Sequence, residues 1–376
     1  MSDDKKTPTI IEYFADLTDP RIERCRRHKL VDIIFIAVCG VICGADSFTE
    51  MEDFGLEKQV WLAQFIALPN GVPSHDTFNR VFARLKPDEF QHCFINWIRA
   101  VTKATDGQVV PIDGKRLRRS HNRSVGQEAI ELVSAWAAEN RLTLAQVKVE
   151  AESNEIKAVP KLLRLLELTG CIVTADALNC QKEIASEVRA QGADYVLALK
   201  GNQGLIHQDV ERFLRAVRED HTYGFTISTH QEIDGEHGRI ETRHYWQVNA
   251  PEHLSGKDEW KDLKSVGLVE ATREVAGKTS RELRYYLSSL EVDAVRFAEA
   301  VRQHWSIENC CHWILDVVFR EDDSRVRVGH ATENFALVRR VALGLLQQDK
   351  ADKRGIKRKR LKAALNEDYL LKVLNI

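Results

Sequence analysis

The chain has 376 residues, of which 44% are hydrophobic and 29% are charged. This composition supports a large buried core, and the low proline and moderate glycine content excludes collagen-like and low-complexity chains. The formal net charge of −2 excludes the strongly basic balance of many nucleic-acid-binding domains, so the distribution of charge carries more information than its sum.

The longest apolar run, Ile33 to Cys43, has eleven residues, about half of the roughly 20 that a membrane span needs. It predicts a buried helix and no membrane partner. The polar first seven residues lack the apolar stretch of a secretory signal, so we expect a cytoplasmic protein. The eight cysteines lack the CxxC pairs of a structural zinc site and are expected to be reduced and buried.

The first hundred residues have the apolar periodicity of helices. Helices are predicted at residues 30–43, from Ser47 to residue 68, after Ser74, and from Pro87 to residue 102. Ser47 and Glu50 have the spacing of a capping box, Ser74 is a candidate cap, and Pro87 suits a first helical turn. These patterns predict an all-α domain over residues 1–104.

From residue 108 the pattern changes to short apolar and β-branched runs that are typical of strands. Strands are predicted at residues 109–113, 131–138, 142–150, 171–178 and 194–201, with helices at 155–168 and 181–191. Because each of these helices leads into a strand, both are expected to be crossovers to parallel neighbours. The order predicts an α/β fold with a mixed five-stranded sheet and flanking helices.

The remaining residues divide into three predicted parts. After a helix at 203–218, strand-like segments separated by turns predict a β-rich insertion over residues 222–290. The α/β pattern then resumes with a long helix at 292–319 and another at 332–347. The predicted core therefore comprises residues 105–221 and 291–348, and residues 349–376 form a basic C-terminal tail.

Two of the predicted strands end in aspartate. Asp113 follows the first strand and Asp176 follows the fourth. A carboxylate at the end of a buried strand is costly unless it is paired, protonated or bound to a metal. Each residue alone is as readily explained as a turn residue, but the shared context favours a site at which both carboxylates converge.

A third carboxylate is predicted on the long late helix. His304, Glu308 and His312 recur every four residues and share one face of that helix. The helix is too apolar for a free surface element, so we select Glu308 as the third acid. Asp316 is the weaker candidate because it lies further round the helix.

Clustered carboxylates favour Mg²⁺, with Mn²⁺ as a substitute, over zinc. Two such ions can activate a water on one side of a phosphodiester and stabilise the leaving oxygen on the other, which predicts phosphoryl transfer on nucleic acid. Zinc hydrolysis by His304, Glu308 and His312 is an alternative, but the chain has no HExxH motif and that chemistry leaves both strand aspartates unexplained.

Basic residues are concentrated in three segments, Arg21 to Lys29, Lys115 to Arg123 and Lys350 to Lys362. Three such segments favour a polyanionic partner, because several cations together release counterions from a phosphate backbone. The residues predicted to contact DNA are Lys115, Arg116, Arg118, Arg119, Lys200, Asn202, Gln203, Arg302, His304 and His312. For His304 and His312, core packing is an equal alternative. For the tryptophans, packing is the expected role and base stacking the alternative.

Five sequence segments, in order, carry a family resemblance: PSHDTFNRVFARL, PIDGKRLR, VTADALNCQKEIA, YVLALKGNQ and HWSIENCCHWILDVVFREDDSR. The chain resembles the DDE transposases of bacterial insertion sequences, in particular the ISAs-type, H-repeat-associated subgroup. The resemblance covers residues 20–346. It implies a ribonuclease-H-like core in which Asp113, Asp176 and Glu308 are catalytic and bind metal.

The resemblance further implies cleavage at the ends of a mobile element and strand transfer to target DNA. Its expected partners are the terminal inverted repeats and target DNA, and a homodimer is expected when two ends are bound. The N-terminal helical domain would recognise element ends. Many relatives carry Tyr, Arg and Lys near the Glu where this chain has Val301, His304 and Leu315, with Arg302 as a substitute for the Arg. A DNA-binding protein that no longer cuts is the alternative.

Overall fold

The computed structural model describes residues 10–101, 107–121, 126, 128–219, 224–236 and 239–374. The chain forms two compact units. The first, here called the helical unit, comprises Met1–Lys103, Gly114–Glu152 and Glu308–Ile376. The second, here called the sheet unit, comprises Ala104–Asp113 and Ser153–Ile307. These units are compact groups of residues and do not test the domain ranges predicted from the sequence, which remain predictions.

The N-terminal part of the helical unit contains six helices within its described residues: α1 (Ile10–Phe14), α2 (Leu30–Cys43), α3 (Phe48–Glu57), α4 (Gln59–Leu62), α5 (His75–Arg84) and α6 (Pro87–Val101). The predicted capping box is confirmed, since the Ser47 hydroxyl accepts from the backbone of Glu50 and the Glu50 carboxylate accepts from the backbone of Ser47. Ser74 precedes α5, but its hydroxyl bonds Thr77 Oγ1 at 3.2 Å rather than the helix backbone.

The middle of the chain contains the predicted alternation of strands and helices. Its elements are β1 (Val109–Arg116), β2 (Glu131–Ala137), β3 (Leu142–Lys148), α7 (Glu155–Leu163), β4 (Ile172–Ala175), α8 (Lys182–Ala190), β5 (Asp194–Leu199) and α9 (Leu205–Arg218). Strands β2 and β3 form an antiparallel pair in the helical unit. Strand β1 is three residues longer than predicted, and its last three residues belong to the helical unit.

The predicted insertion forms four long strands: β6 (Ile227–Glu236), β7 (Arg239–Asn249), β8 (Ser265–Val275) and β9 (Lys278–Ser288). In the sheet unit the strand order is β1-β4-β5-β9-β8-β7-β6. The pairs β1–β4 and β4–β5 are parallel and the others are antiparallel, so the predicted mixed sheet is confirmed. The predicted number of five strands is wrong, because β9 pairs directly with β5 and joins the insertion to the same sheet.

The predicted long helix at 292–319 is interrupted. It consists of α10 (Ala294–Ile307), a π-helical turn (Glu308–His312) and α11 (Trp313–Val317). In the sheet unit, α10 packs on β6 and β7. In the helical unit, α12 (Ala331–Gln348) is buried along most of its length and packs against α2 and α5. A helix that is covered on all sides in this way forms the centre of a core.

The predicted basic tail contains two helices, α13 (Ile356–Leu365) and α14 (Glu367–Leu374). Two of its cations are internal. Arg360 donates to the carbonyl of Val41 at 3.1 Å and to Asp46 Oδ1 at 2.9 Å. Lys359 donates to two backbone carbonyls of the preceding segment. These two side chains therefore stabilise the helical unit and are removed from the surface.

Among the residues that the structure describes, no single helix has both the length and the apolar character to cross a bilayer. The bent pair Glu23–Cys43 and Phe48–Glu57 meets that test only when its two members are taken together. The prediction for the cysteines is confirmed for Cys39, Cys171, Cys180 and Cys311, which are buried, whereas Cys25 is exposed.

Candidate active site

In the sheet unit, Asp113 lies within strand β1, whereas Asp176 directly follows strand β4. Strands β1 and β4 run parallel, with Ile112 paired with Ala175, so Asp113 and Asp176 come directly after paired positions. Both side chains are half-buried. Because both residues come after paired positions of parallel neighbours, they lie beside each other in the sheet.

The Asp176 carboxylate is positioned by a neutral amide. Its Oδ1 accepts from the backbone N–H and from the side-chain Nδ2 of Asn179, both at 3.1 Å. Asn179 is fully buried, and its Nδ2 also donates to Glu155 Oε1 at 2.6 Å. Within the described parts of the chain, the Asn179 Oδ1 has no hydrogen-bond partner. A rigid amide thus orients Asp176 without neutralising its charge.

His304 on α10 contacts strand β4, which precedes Asp176. Its Nδ1 and the Oγ1 of Thr174 on β4 form a 3.0 Å hydrogen bond. Burial lowers the pKa of His304 below its usual value of 6.5, against the opposing effect of Asp113 and Asp176. The imidazole is therefore neutral at pH 7, and its orientation is fixed by the threonine.

In the helical unit, Glu308 begins the π-helical turn. Single π turns are rare and recur at functional sites, because they widen the helix locally and redirect its side chains. The Glu308 Oε2 lies 3.4 Å from Nδ1 of the buried His312, while the Glu308 side chain is 56% exposed. The bond with His312 lowers the pKa of Glu308, so this exposed carboxylate is ionised at neutral pH.

Lys115, near the end of β1, is internal rather than exposed. Its ammonium lies 2.5 Å from Asp316 Oδ1 and 3.7 Å from Asp322 Oδ1, and its side chain is 7% exposed. Asp316, the weaker candidate for the third acid, is therefore engaged in an ion pair. Lys115 was predicted to contact DNA, but its ammonium is buried and already paired with carboxylates.

The other predicted DNA contacts fall into two groups. Five are exposed: Arg116, Arg118, Arg119, Lys200 and Arg302. Arg118 and Arg119 pair with the carboxylates of Asp322 and Asp323 at 3.1 and 3.3 Å. The side-chain amides of Asn202 and Gln203 donate to backbone carbonyls of the sheet unit at 2.8 and 2.6 Å, so both stabilise a turn.

The sequence analysis did not single out Asn179 or Thr174 as site residues. Asn179 follows Asp176 by three residues, the spacing at which an aspartate side chain accepts from a local backbone N–H, and this was the available signal. Thr174 had no signal, because its bond depends on the packing of α10 against β4.

The model of the transposase DDE domain matches residues 100–345, and the model described as DDE_Tnp_1-associated matches residues 11–98. The chain belongs to the DDE transposase family. It is therefore a DNA-binding enzyme that cleaves DNA strands at element ends and transfers them to a target in a metal-dependent reaction. The zinc hydrolase alternative is not supported.

Similar proteins agree with this family. The putative transposase YncI of Escherichia coli O157:H7 is 43% identical over 370 residues, which is 97% of this chain and 94% of that protein. The H repeat-associated putative transposase YhhI of Escherichia coli K12 is 38% identical over 372 residues, 97% of each chain. The subgroup resemblance seen in the sequence of this transposase is thereby confirmed.

One solved structure overlaps most of the chain. The piggyBac transposase synaptic complex with hairpin DNA covers 98% of this chain and 79% of its own, with a TM-score of 0.46 and 12% identity.

Proposed function

We propose that Asp113, Asp176 and Glu308 are the catalytic residues of this transposase and bind two Mg²⁺ ions, with Mn²⁺ as a substitute. The observation that carries the proposal is the parallel register of β1 and β4, which puts two aspartates after paired positions. Carboxylate oxygens are the hard ligands that Mg²⁺ prefers. Glu308 adds an exposed, ionised carboxylate at a π-helical turn.

Bound Mg²⁺ would supply Lewis acidity toward the scissile phosphate and a lowered pKa of a coordinated water. The protein groups do the positioning. Asn179 orients Asp176, and His312 holds Glu308 in its ionised form. His304 is neutral and is oriented by its hydrogen bond with Thr174. It therefore adds no positive charge that would compete with a metal ion for the carboxylates.

The proposed substrates are the terminal inverted repeats of the element and a target DNA duplex. Both cleavage and strand transfer are displacements at phosphorus, so one metal site serves both steps. Two ends must be held together, and we therefore propose a homodimer on DNA. Residues 1–104 are proposed to recognise the element ends, and the protein is proposed to act in the cytoplasm.

Phosphate contacts are assigned to four exposed cations. Arg118 and Arg119 are held by carboxylates that a DNA phosphate can replace. Lys200 and Arg302 are also exposed. Lys115, Asn202 and Gln203 are assigned a structural role, because their side chains already have partners inside the protein.

The test is nicking of a plasmid that carries this gene with several hundred flanking base pairs, in Mg²⁺, Mn²⁺ or EDTA. Metal-dependent breaks at the gene borders are expected with the wild-type protein and not with Glu308→Ala, which should still bind the ends. Breaks of equal yield with Glu308→Ala would remove Glu308 from the site. Tight end binding without any wild-type cleavage would instead identify the alternative, a DNA-binding protein that no longer cuts.

A further inference from the structure

A groove of about 810 Å³ lies inside the helical unit, beside α11 and the start of α13. Its lining includes Trp313, Ile314 and Val317, which follow the π-helical turn. Its lining also includes most residues of the segment from Lys350 to Lys359. The Trp313 side chain is 55% exposed and Val317 is 56% exposed, so these two residues offer an accessible aromatic and apolar surface.

The cations of the groove are mostly unengaged. Arg141, Lys350, Lys353 and Lys357 line it and are exposed, and they form no ion pair among the described residues. This distinguishes them from the buried Lys359 of the same segment, whose ammonium is bound by two carbonyls. A surface with several unpaired cations at close range has a positive potential that favours a polyanion.

The acidic residues of the groove do not cancel this charge. Asp349 is paired with Lys372 at 2.8 Å. Asp352 is paired with Arg354 and, at 3.3 Å, with Lys362. Both aspartates therefore already have a cation of their own. Glu139 is the third acidic residue that lines the groove, and the four lining cations described above outnumber it.

A third feature of the groove also favours phosphate. Helix α13 begins there, with Gly355 as its N-terminal cap residue and no side chain to cap the first turn. The N-terminus of a helix carries a partial positive charge and presents backbone N–H groups. The helix end and the unpaired cations thus act on the same ligand.

We propose that this groove binds an unpaired DNA strand, with phosphates along Lys350, Lys353 and Lys357 and one base stacked on Trp313. A basic groove with an exposed aromatic ring is the arrangement by which proteins hold single strands without sequence preference. The groove rests on the proposed function, since it would hold a strand beside the turn that carries Glu308. It extends the DNA contacts to a surface in the helical unit.

The experiment measures binding of the full-length protein to a labelled 20-nucleotide single strand and to a duplex of the same sequence, in EDTA over a range of salt. Lys353→Glu/Lys357→Glu is expected to weaken single-strand binding at least tenfold and to flatten the salt slope by about 1.4, since each single-strand phosphate contact contributes about 0.7. The matched control Lys161→Glu/Lys278→Glu reverses the charge of two exposed lysines outside the groove. It should leave the single-strand affinity and its salt slope unchanged.

The aromatic part is tested with Trp313→Ala, which is expected to weaken single-strand binding at least fivefold and duplex binding less than twofold, since stacking of one base contributes about 1–3 kcal/mol, or roughly 5- to 150-fold. Trp313→Phe should restore most of the loss. Thermal melting of each variant verifies the fold.

If both the lysine and the tryptophan variants bound single-stranded DNA as tightly as the wild type, the proposal that this groove binds DNA would be refuted. Equal losses for single strand and duplex, or no effect of Trp313→Ala, would overturn the stacked single strand. Because these assays contain no metal, they are independent of border nicking. If the wild-type protein did not nick the borders but the groove variants still weakened single-strand binding as expected, only the catalytic proposal would be contradicted.

Discussion

Two acidic residues, one in each unit of the molecule, have partners of opposite kinds. In the helical unit, Glu321 is fully buried and pairs with the equally buried Arg340 at 3.0 Å. In the sheet unit, Asp176 is bound by the neutral amide and backbone of Asn179. The comparison teaches that the partner of a carboxylate, rather than its burial, separates an acid that stabilises the fold from one that can bind metal.

The helical unit extends this pairing to other carboxylates. Asp316 and Asp322 face Lys115, and Asp46 faces Arg360 at 2.9 Å. A buried charge costs free energy unless its partner is present, so each pair is sensitive to loss of either member. These acids are therefore committed to structure although several of them are close in sequence to the catalytic candidates.

The largest effect is expected from the sheet unit. Asp176→Ala should reduce strand cleavage at least 10³-fold, because it removes a proposed metal ligand, while the midpoint of urea unfolding changes little. Cleavage yield and denaturation are measured on the same preparation. A large loss of stability with residual cleavage would break the comparison, since Asp176 would then behave like the acids of the helical unit.

The converse is expected for the buried pair. Glu321→Gln should lower the free energy of unfolding by about 3–5 kcal/mol, because Arg340 is left charged and buried. The double variant Glu321→Leu/Arg340→Met should recover part of that loss. Glu89→Gln, in the exposed pair with Lys86, is the control and should change stability far less. Equal effects of the two single glutamate variants would contradict the pairing argument.

Glu333 in the helical unit is an acid whose burial is not fully offset by a cation, so its effect on stability should depend on pH. Burial raises the pKa of Glu333 to about 7, with Asp88 and Glu150 adding to the rise and Lys148 opposing it. As pH rises from 4.5 to 7, the unfolded chain loses this proton and the folded protein keeps it, so stability falls by up to about 3 kcal/mol. Glu333→Gln should remove this fall, measured by urea unfolding at pH 4.5 and 8. An identical pH profile in both proteins would refute it.

The smallest effect concerns the orientation of Asp176. Asn179→Ala should lower the cleavage rate about tenfold, because outer partners of metal ligands typically contribute 10- to 100-fold. DNA binding in EDTA should be unchanged. A rise in the Mg²⁺ concentration needed for half-maximal cleavage would separate this positioning role from a simple loss of folded protein, and an unchanged requirement would argue against it.

Much of this fold was predictable from local signals. The capping box at Ser47 and Glu50 fixed the start of α3, and the apolar run from Leu30 fixed α2. The end of β4 before Asp176 was predictable, because a polar residue after a β-branched run marks the end of a buried strand. The predicted end of β1 at Asp113 was wrong, since the strand continues to Arg116. This extension was missed because Gly114 to Arg116 lack apolar periodicity.

Long-range features were not predictable. The pairing of β9 with β5 depends on contacts about 90 residues apart in the chain, such as Val196 with Ser288, and no local pattern specifies them. The π-helical turn at Glu308 has no sequence signature that distinguishes it from an ordinary helix. Whether a cation in a basic run is internal, as Arg360 is, or exposed, as Lys357 is, depends on tertiary packing.

The two units are interleaved along the chain, which passes from one to the other after residues 103, 113, 152 and 307. Neither unit is encoded by a continuous stretch of gene. A frameshift or an early stop codon before residue 308 therefore removes part of the helical unit as well as Glu308. Such a truncation therefore removes the proposed catalytic glutamate and the central helix α12 of the helical unit in one event.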